Sequence, residues 1–359
     1  MVRTTGAASA ESLVWLKLEV FFQTYPLAKA SGNLLKKEKF HNSSNRALLF
    51  GGGLLVLLLL VLAVAAMLGA ERLPLFDLNE QQRSILHDIR LPRIMLGACV
   101  GASLAVAGAG LQSLLRNPLA EPYLLGVSNG AALGTMVAFV FFQSLELTRP
   151  VLAFVGAGLA TIAVYRMAKI RAGMNVERLV LSGVIVTTFL SSIIVMLTTL
   201  LDAAKLRSFT FWLLGDLSQA TRNGVYISLG AVVIGTIVLM SQARALNLMM
   251  VGERDAFDFG VEVGRVRMLV FGASSLVVGA AVAASGSVGY VGLIVPHLVR
   301  LTVGSDNRLV VPFSAVAGAI FVVFADTIAR TAIAPRELPV GAVTALIGAP
   351  MFIYLLRKN

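Results

Sequence analysis

The chain has 359 residues, of which 57% are hydrophobic and 14% charged, with a single cysteine and a mean hydropathy of +0.84. A soluble globular domain carries about 25% charged residues, so the composition excludes that class and points to an all-α polytopic membrane protein. The net charge of +11 does not indicate nucleic acid, because the basic residues sit in short loops between apolar runs, where they set membrane orientation.

The first 45 residues are polar to amphipathic and contain no cleavable signal pattern. Within them, Ser12 to Tyr25 places Trp15, Leu18, Phe21 and Phe22 at helical spacing, which suits a membrane-surface helix as well as a weakly ordered tail. Ten apolar segments follow, at 46–68, 91–114, 124–142, 150–167, 178–201, 224–240, 267–284, 290–303, 309–332 and 340–356. The even count puts both termini on one side, and Lys and Arg are more numerous in the loops of that side, which makes it the cytoplasm. The third and eighth segments are short or Gly/Pro-interrupted, and broken helices of that kind must be buried by their neighbours.

Small residues recur at helical spacing. Gly97, Gly101, Ala105 and Ala109 form one stripe, and Gly341, Ala345 and Ala349 another; both read as surfaces for close helix packing rather than as substrate contacts. Breaks at Pro118 and Pro122 after the second segment are matched by Gly286, Gly289 and Pro296 after the seventh. Five segments separate the two breaks, which fits an inverted repeat of the transporter kind.

Several chemistries are missing. No glycine precedes a lysine anywhere, so the Gly-rich phosphate loop of an ATPase is absent. Cys99 lies alone in an apolar run, and His41, His87 and His297 are dispersed, so no metal cluster is legible. Asp326 is the clearest acid within a span; it precedes Arg330 by four residues, and an i, i+4 ion pair is the simpler account of it than a proton relay.

Three stretches carry denser chemistry. The first contains Arg90-Leu91-Pro92-Arg93, Gly101, Gly108, Gln112, then Arg116-Asn117-Pro118-Leu119-Ala120-Glu121-Pro122, and ends in Leu125-Gly126-Val127-Ser128-Asn129-Gly130-Ala131. The second is the loop 244–265, in which Arg244, Glu253, Arg254, Asp255, Asp258, Glu262 and Arg265 alternate with Leu246, Leu248, Met249, Met250, Phe257 and Phe259, the makeup of two short amphipathic surface helices. The third runs from Gly286 through Pro296-His297, Arg300, Asp306 and Asp326 to Glu337-Leu338-Pro339-Val340-Gly341 and Gly348-Ala349-Pro350.

Taken together over residues 46–357, these stretches resemble the FecCD-type permease family, the membrane subunits of bacterial ABC importers for iron siderophores, haem and vitamin B12. The resemblance implies a type II ABC importer permease, an N-terminal cytoplasmic extension at 1–45 and a ten-helix domain at 46–357, residing in the inner membrane with both termini cytoplasmic. It also implies a second permease copy or paralogue, two cytoplasmic ATPase subunits that carry ATP and Mg, a periplasmic or lipid-anchored substrate-binding protein and contact with membrane lipid, with no cofactor in this chain and no nucleic acid.

By the same resemblance, Leu246, Asn247, Gly252, Glu253, Ala256 and Gly260 belong to the ATPase-coupling loop, and Asn117, Pro118, Leu119, Val176 and Glu177 to the cytoplasmic gate. Arg90, Arg93 and Arg330 fall at the external ends of their spans and are expected to receive carboxylates of the binding protein. The stretch Asn175-Val176-Glu177 departs from the small hydroxyl residues of the vitamin B12 permeases, although 117–131 reads closest to that type. An iron chelate is favoured as cargo on family frequency. The competing class is an ion- or proton-coupled secondary carrier, which broken helices and inverted halves would also suit.

Overall fold

A computed structural model describes residues 47–69, 74, 79–142, 148–170 and 173–358. The N-terminal extension at 1–45, with its expected surface helix, lies outside the described residues. Thirteen helices are found among the described residues, and all ten expected apolar segments are helical.

Helix α1 is Ala47–Met67. Its first described residues, 47–52, belong to one compact unit of the chain, and Gly53–Asn359 form the other. The long helix α2, Glu80–Leu114, opens with a reciprocal cap: the Gln82 N–H donates to Asn79 Oδ1 (2.8 Å), and the Asn79 N–H donates to Gln82 Oε1 (3.2 Å). That arrangement satisfies two backbone donors that every helix start leaves open. A π-helical stretch, Ile85–Arg90, precedes the regular part from Leu91.

After a 3-10 turn, Pro122–Leu125, come α3 Val127–Phe141, α4 Thr148–Ala168, a two-stranded antiparallel hairpin (β1 Lys169–Ile170, β2 Gly173–Met174), and α5 Val176–Thr198. The chain continues through α6 Ala203–Leu213, α7 Arg222–Ser241, α8 Ala243–Val251, α9 Glu253–Asp258, α10 Val263–Ser285, α11 Val291–Val303, α12 Asn307–Thr331 and α13 Val340–Lys358. Among the described residues, seven helices are long and apolar enough to cross a membrane: α1, α2, α4, α5, α7, α10 and α12. Helices α3, α11 and α13 supply shorter apolar segments, so the ten expected segments divide into long and short classes.

Helix α2 is the axis of the larger unit. It is buried along most of its length, with α12 packed most extensively against it and α7, α10 and α11 completing the surround; α3, α4 and α5 form an adjoining layer joined through α10. The core is aliphatic, with Val100, Leu104 and Leu111 of α2 meeting Val270 and Val282 of α10 and Val310 and Val322 of α12 in one cluster. Gly101 explains how α2 and α12 come so close, because a Cβ there would collide with the carbonyl of Gly318, whose own position is blocked in turn by Gly101. Two glycines at one crossing permit backbone contact, the geometry expected of the small-residue stripe. By contrast, α1, α4, α5 and α7 expose Leu, Ile, Val and Phe over long stretches, as surfaces that face lipid or other helices do.

The two chain breaks meet. The Tyr123 hydroxyl donates to the Val288 carbonyl (3.0 Å) and accepts from the Val288 N–H (2.9 Å), while the Tyr290 N–H donates to Glu121 Oε1 (3.0 Å). Gln112 Nε2 donates to the Gly292 and Leu293 carbonyls (3.2 and 2.9 Å). Side chains near one break thereby satisfy backbone groups exposed by the other, which is how irregular backbone survives in an apolar bundle.

Candidate functional site

Residues 93 and 113 of α2 are twenty positions apart, about 30 Å at 1.5 Å per residue. They mark two polar clusters at opposite ends of the bundle.

At the end where α2 begins, the three arginines expected to face a binding protein are buried: Arg90, Arg93 and Arg330 are 5%, 7% and 4% exposed. Arg93 reaches Asp326 through Nε (3.0 Å) and a second nitrogen (2.9 Å), and donates to Glu337 at 2.8 Å. Arg330 Nε lies 3.1 Å from the other oxygen of Asp326, so the i, i+4 pair is present but forms only part of a larger network. Arg90 donates to the carbonyls of Ala66 and Met67 (2.9 and 3.0 Å), and Arg330 to that of Ala65 (3.1 Å). These are carbonyls of the last turn of α1, where intrahelical donors run out and the helix dipole is negative.

The expectation of three solvent-facing arginines is therefore corrected. Their heads turn inward because in-chain carbonyls and carboxylates satisfy them where apolar surroundings would not. The exposed member of the network is Glu337, whose side chain is 43% accessible.

At the other end, α8 and α9 occupy the loop expected to hold two amphipathic helices. Leu246, Met249 and Ala256 are buried against the body of the chain, whereas Val251, Phe257 and Phe259 are exposed. Asn247 Nδ2 donates to Asp306 Oδ1 (2.7 Å), and its Oδ1 accepts from the backbone and side-chain nitrogens of Asn307 (2.9 Å each). Asn307, fully buried, accepts from the Ser113 hydroxyl (2.7 Å) of α2, which in turn accepts from Arg300 (2.7 Å). Asp306 caps α12 through the Arg308 N–H (3.0 Å). Hydrogen bonding from the Arg308 side chain, then the Arg308 N–H and Asn247, holds its carboxyl down at about 2 against the opposing effect of burial.

Glu253 opens α9 and accepts from Arg116 Nη2 at 3.0 Å and from Arg267 of α10. Gly252 is an extended junction between the two short helices, and Gly260 takes a left-handed turn (φ +80°) that ends them. The residues expected to couple to an ATPase thus separate into two groups. Leu246, Asn247, Glu253 and Ala256 fasten the helices to the chain's own body, and the apolar side chains beside them point outward.

The expected gate residues begin where α2 ends. The Asn117 N–H donates to the Gln112 carbonyl (3.1 Å) and the Arg116 N–H to that of Ser113 (3.3 Å), the double closure of a left-handed helix cap. Arg116 occupies the left-handed position (φ +49°), a site that costs a side chain about 1–2 kcal/mol and usually falls to glycine. Asn117 Oδ1 then accepts from the Leu119 N–H (2.8 Å), forming a tight turn from which Asn117, Pro118 and Leu119 project exposed. Val176 and Glu177 begin α5 behind the Asn175 cap (Arg178 N–H to Asn175 Oδ1, 2.9 Å), and the 3-10 turn that follows the 117–119 turn packs on α5.

A helical bundle with paired broken segments, a polar network at each end and an amphipathic helix pair at one of them defines a polytopic transport protein. Residues 54–358 match the model of the FecCD transport family, and the chain belongs to that family. It is 44% identical over 284 residues to the cobalamin import system permease protein of Halobacterium salinarum, covering 79% of this chain and 76% of that one. It is 38% identical over 286 residues to the hemin transport system permease protein of Yersinia pestis, covering 78% and 85%. Among solved structures it resembles an inward-facing metal-chelate type ABC transporter, with a TM-score of 0.79, 32% identity and coverage of 86% of this chain and 98% of that chain.

Proposed function

We propose that the chain is the permease subunit of an ABC importer that carries a bulky metal chelate, a ferric siderophore, haem or vitamin B12, across the plasma membrane. It works beside a second permease copy or paralogue, with two cytoplasmic ATPase subunits that bind ATP and Mg and an external substrate-binding protein, and both its termini are cytoplasmic. The observation that carries this reading is the α8–α9 pair, hydrogen-bonded and packed on its inner side yet presenting Val251, Phe257 and Phe259 outward among exposed Arg254, Asp255 and Asp258. An apolar knob with a charged rim suits a protein partner, and the acids on that rim would be repelled by an anionic lipid surface.

The relatives named for cobalamin and haem import support the cargo class. Against a proton-coupled carrier, the one deeply buried acid of α12, Asp326, is already held between Arg93 and Arg330. In this reading a carboxylate of the binding protein reaches the outer network by replacing Glu337 on Arg93. The turn 117–119 and the start of α5 close the inner exit.

The test is assembly. Phe257→Asp and Phe259→Asp should abolish co-purification with the ATPase subunit while leaving the permease's thermal stability within about 1 °C of wild type, as exposed substitutions usually do little to stability. Undiminished co-purification of both variants would remove the dock from this surface.

A further inference from the structure

We propose that Arg116 is a positioning residue that forces the exit turn to follow the α8–α9 pair. The inference rests on the reading of that pair as the ATPase dock and of residues 117–119 as the exit gate. Three observations carry it.

The first is backbone geometry. Arg116 sits at the left-handed residue of the α2 cap, where glycine would close the same two hydrogen bonds without strain. A strained side chain in such a place points to a use for that side chain.

The second is what the side chain does. Its guanidinium reaches across 137 positions of sequence to Glu253 Oε1 at 3.0 Å, and the same oxygen is held by Arg267 at the start of α10. Glu253 is the first residue of α9 after the extended Gly252, so the ion pair grips the dock at its internal joint. It is only half shielded from solvent, with side chains 46% and 33% exposed. A pair of that kind contributes little to overall stability, and its position is therefore the informative feature.

The third is the second tether. Asn247 of α8 is bound to Asp306 and Asn307, and Asn307 to Ser113, three residues before Arg116. The α8 tether ends inside α2 on a buried, well-satisfied network, whereas the α9 tether ends on the residue that immediately precedes the Asn117 turn. A displacement of the helix pair is then borne by α2 at Ser113 and delivered to the turn through Arg116. The strained cap supplies a joint at which the turn can swing without unwinding the helix.

The test uses the full importer in proteoliposomes, with uptake of labelled vitamin B12, haem or a ferric siderophore, each offered separately, and ATP hydrolysis measured together. Arg116→Gly relieves the backbone and removes the ion pair; Arg116→Gln keeps length without charge; Arg116→Lys keeps charge. Uptake per ATP hydrolysed is expected to fall at least ten-fold in Arg116→Gly and Arg116→Gln while hydrolysis continues, and to recover to within three-fold of wild type in Arg116→Lys. Arg116→Gly should melt at or above the wild-type temperature, which separates lost coupling from lost folding. Wild-type coupling in either uncharged variant overturns the proposal, as does a loss in Arg116→Gly that is matched by a fall in its melting temperature. Failure of the wild-type complex itself to couple uptake to ATP would instead refute the importer reading, so the two failures are distinguishable.

Discussion

Arg93 and Asp326, 233 positions apart, form a two-pronged ion pair in which both side chains are buried. The pair joins the first turn of the regular part of α2, just past its π-helical stretch, to the last turns of α12, and through Arg330 and Arg90 the same network closes the last turn of α1. Three helices from distant parts of the sequence are thus fixed at one end by charge rather than by apolar packing alone.

Removing one member of a buried network leaves its partners uncompensated, at a cost of about 3–5 kcal/mol. Asp326→Ala strands both Arg93 and Arg330 and is expected to lose that much, seen as poor recovery from the membrane and a lowered melting temperature in detergent. Glu337→Gln touches the exposed arm of the network and should cost less than about 1 kcal/mol. Equal effects of the two substitutions would contradict the assignment of Asp326 as the centre.

The space around two glycines, one at the α2–α12 crossing and one on α4, predicts opposite outcomes. Gly101→Leu drives a side chain into the backbone of Gly318 and is expected to destabilise by about 1–3 kcal/mol or more. Gly158 of α4 has open space around its Cβ position, and Gly158→Ala should leave stability unchanged or slightly raised. Thermal melting of the two purified variants compares them directly.

Asp306 yields a pH dependence. Its folded-state pKa of about 2 lies below the ordinary 3.8, so the folded protein favours the ionised form. The stabilisation is complete above the ordinary value and is lost as the pH falls through about 2. Melting temperatures recorded between pH 5 and pH 2 should fall less steeply in Asp306→Asn than in wild type. At neutral pH, Asp306→Ala should cost about 1 kcal/mol through loss of the α12 cap.

Much of the architecture is legible in hydropathy. The ten apolar segments need only length and composition, and the two short helices of 244–265 need only the alternation of charge with Leu, Met and Phe. The stripe at Gly101 signals a close crossing, but only the fold identifies Gly318 as its partner. Helix α6 is not anticipated by the segment list, because Lys205 and Arg207 dilute its hydropathy; its local signal is Asp202, whose carboxylate accepts from the Lys205 N–H (2.9 Å).

The arginines show the limit most clearly. Arg90, Arg93 and Arg330 read as external charges; the Asp326–Arg330 pair is legible in its spacing, but that Arg93 shares Asp326 with it and that Arg90 and Arg330 end on carbonyls of α1 is not visible in the local sequence of α2 or α12. The same holds for Arg116. Its residue type and its neighbour Asn117 are plain in the sequence, but the left-handed backbone and the bond to Glu253 belong to the folded chain.

The central claim, that this permease moves a metal chelate at the expense of ATP hydrolysed on a partner, is tested most directly by uptake into proteoliposomes holding the permease, its ATPase and its binding protein. Labelled vitamin B12, haem and a ferric siderophore would be offered separately, with ATP and Mg or with an imposed proton gradient and no nucleotide. The account predicts accumulation of one of these chelates only when ATP and the binding protein are both present. Accumulation driven by the proton gradient alone would contradict it.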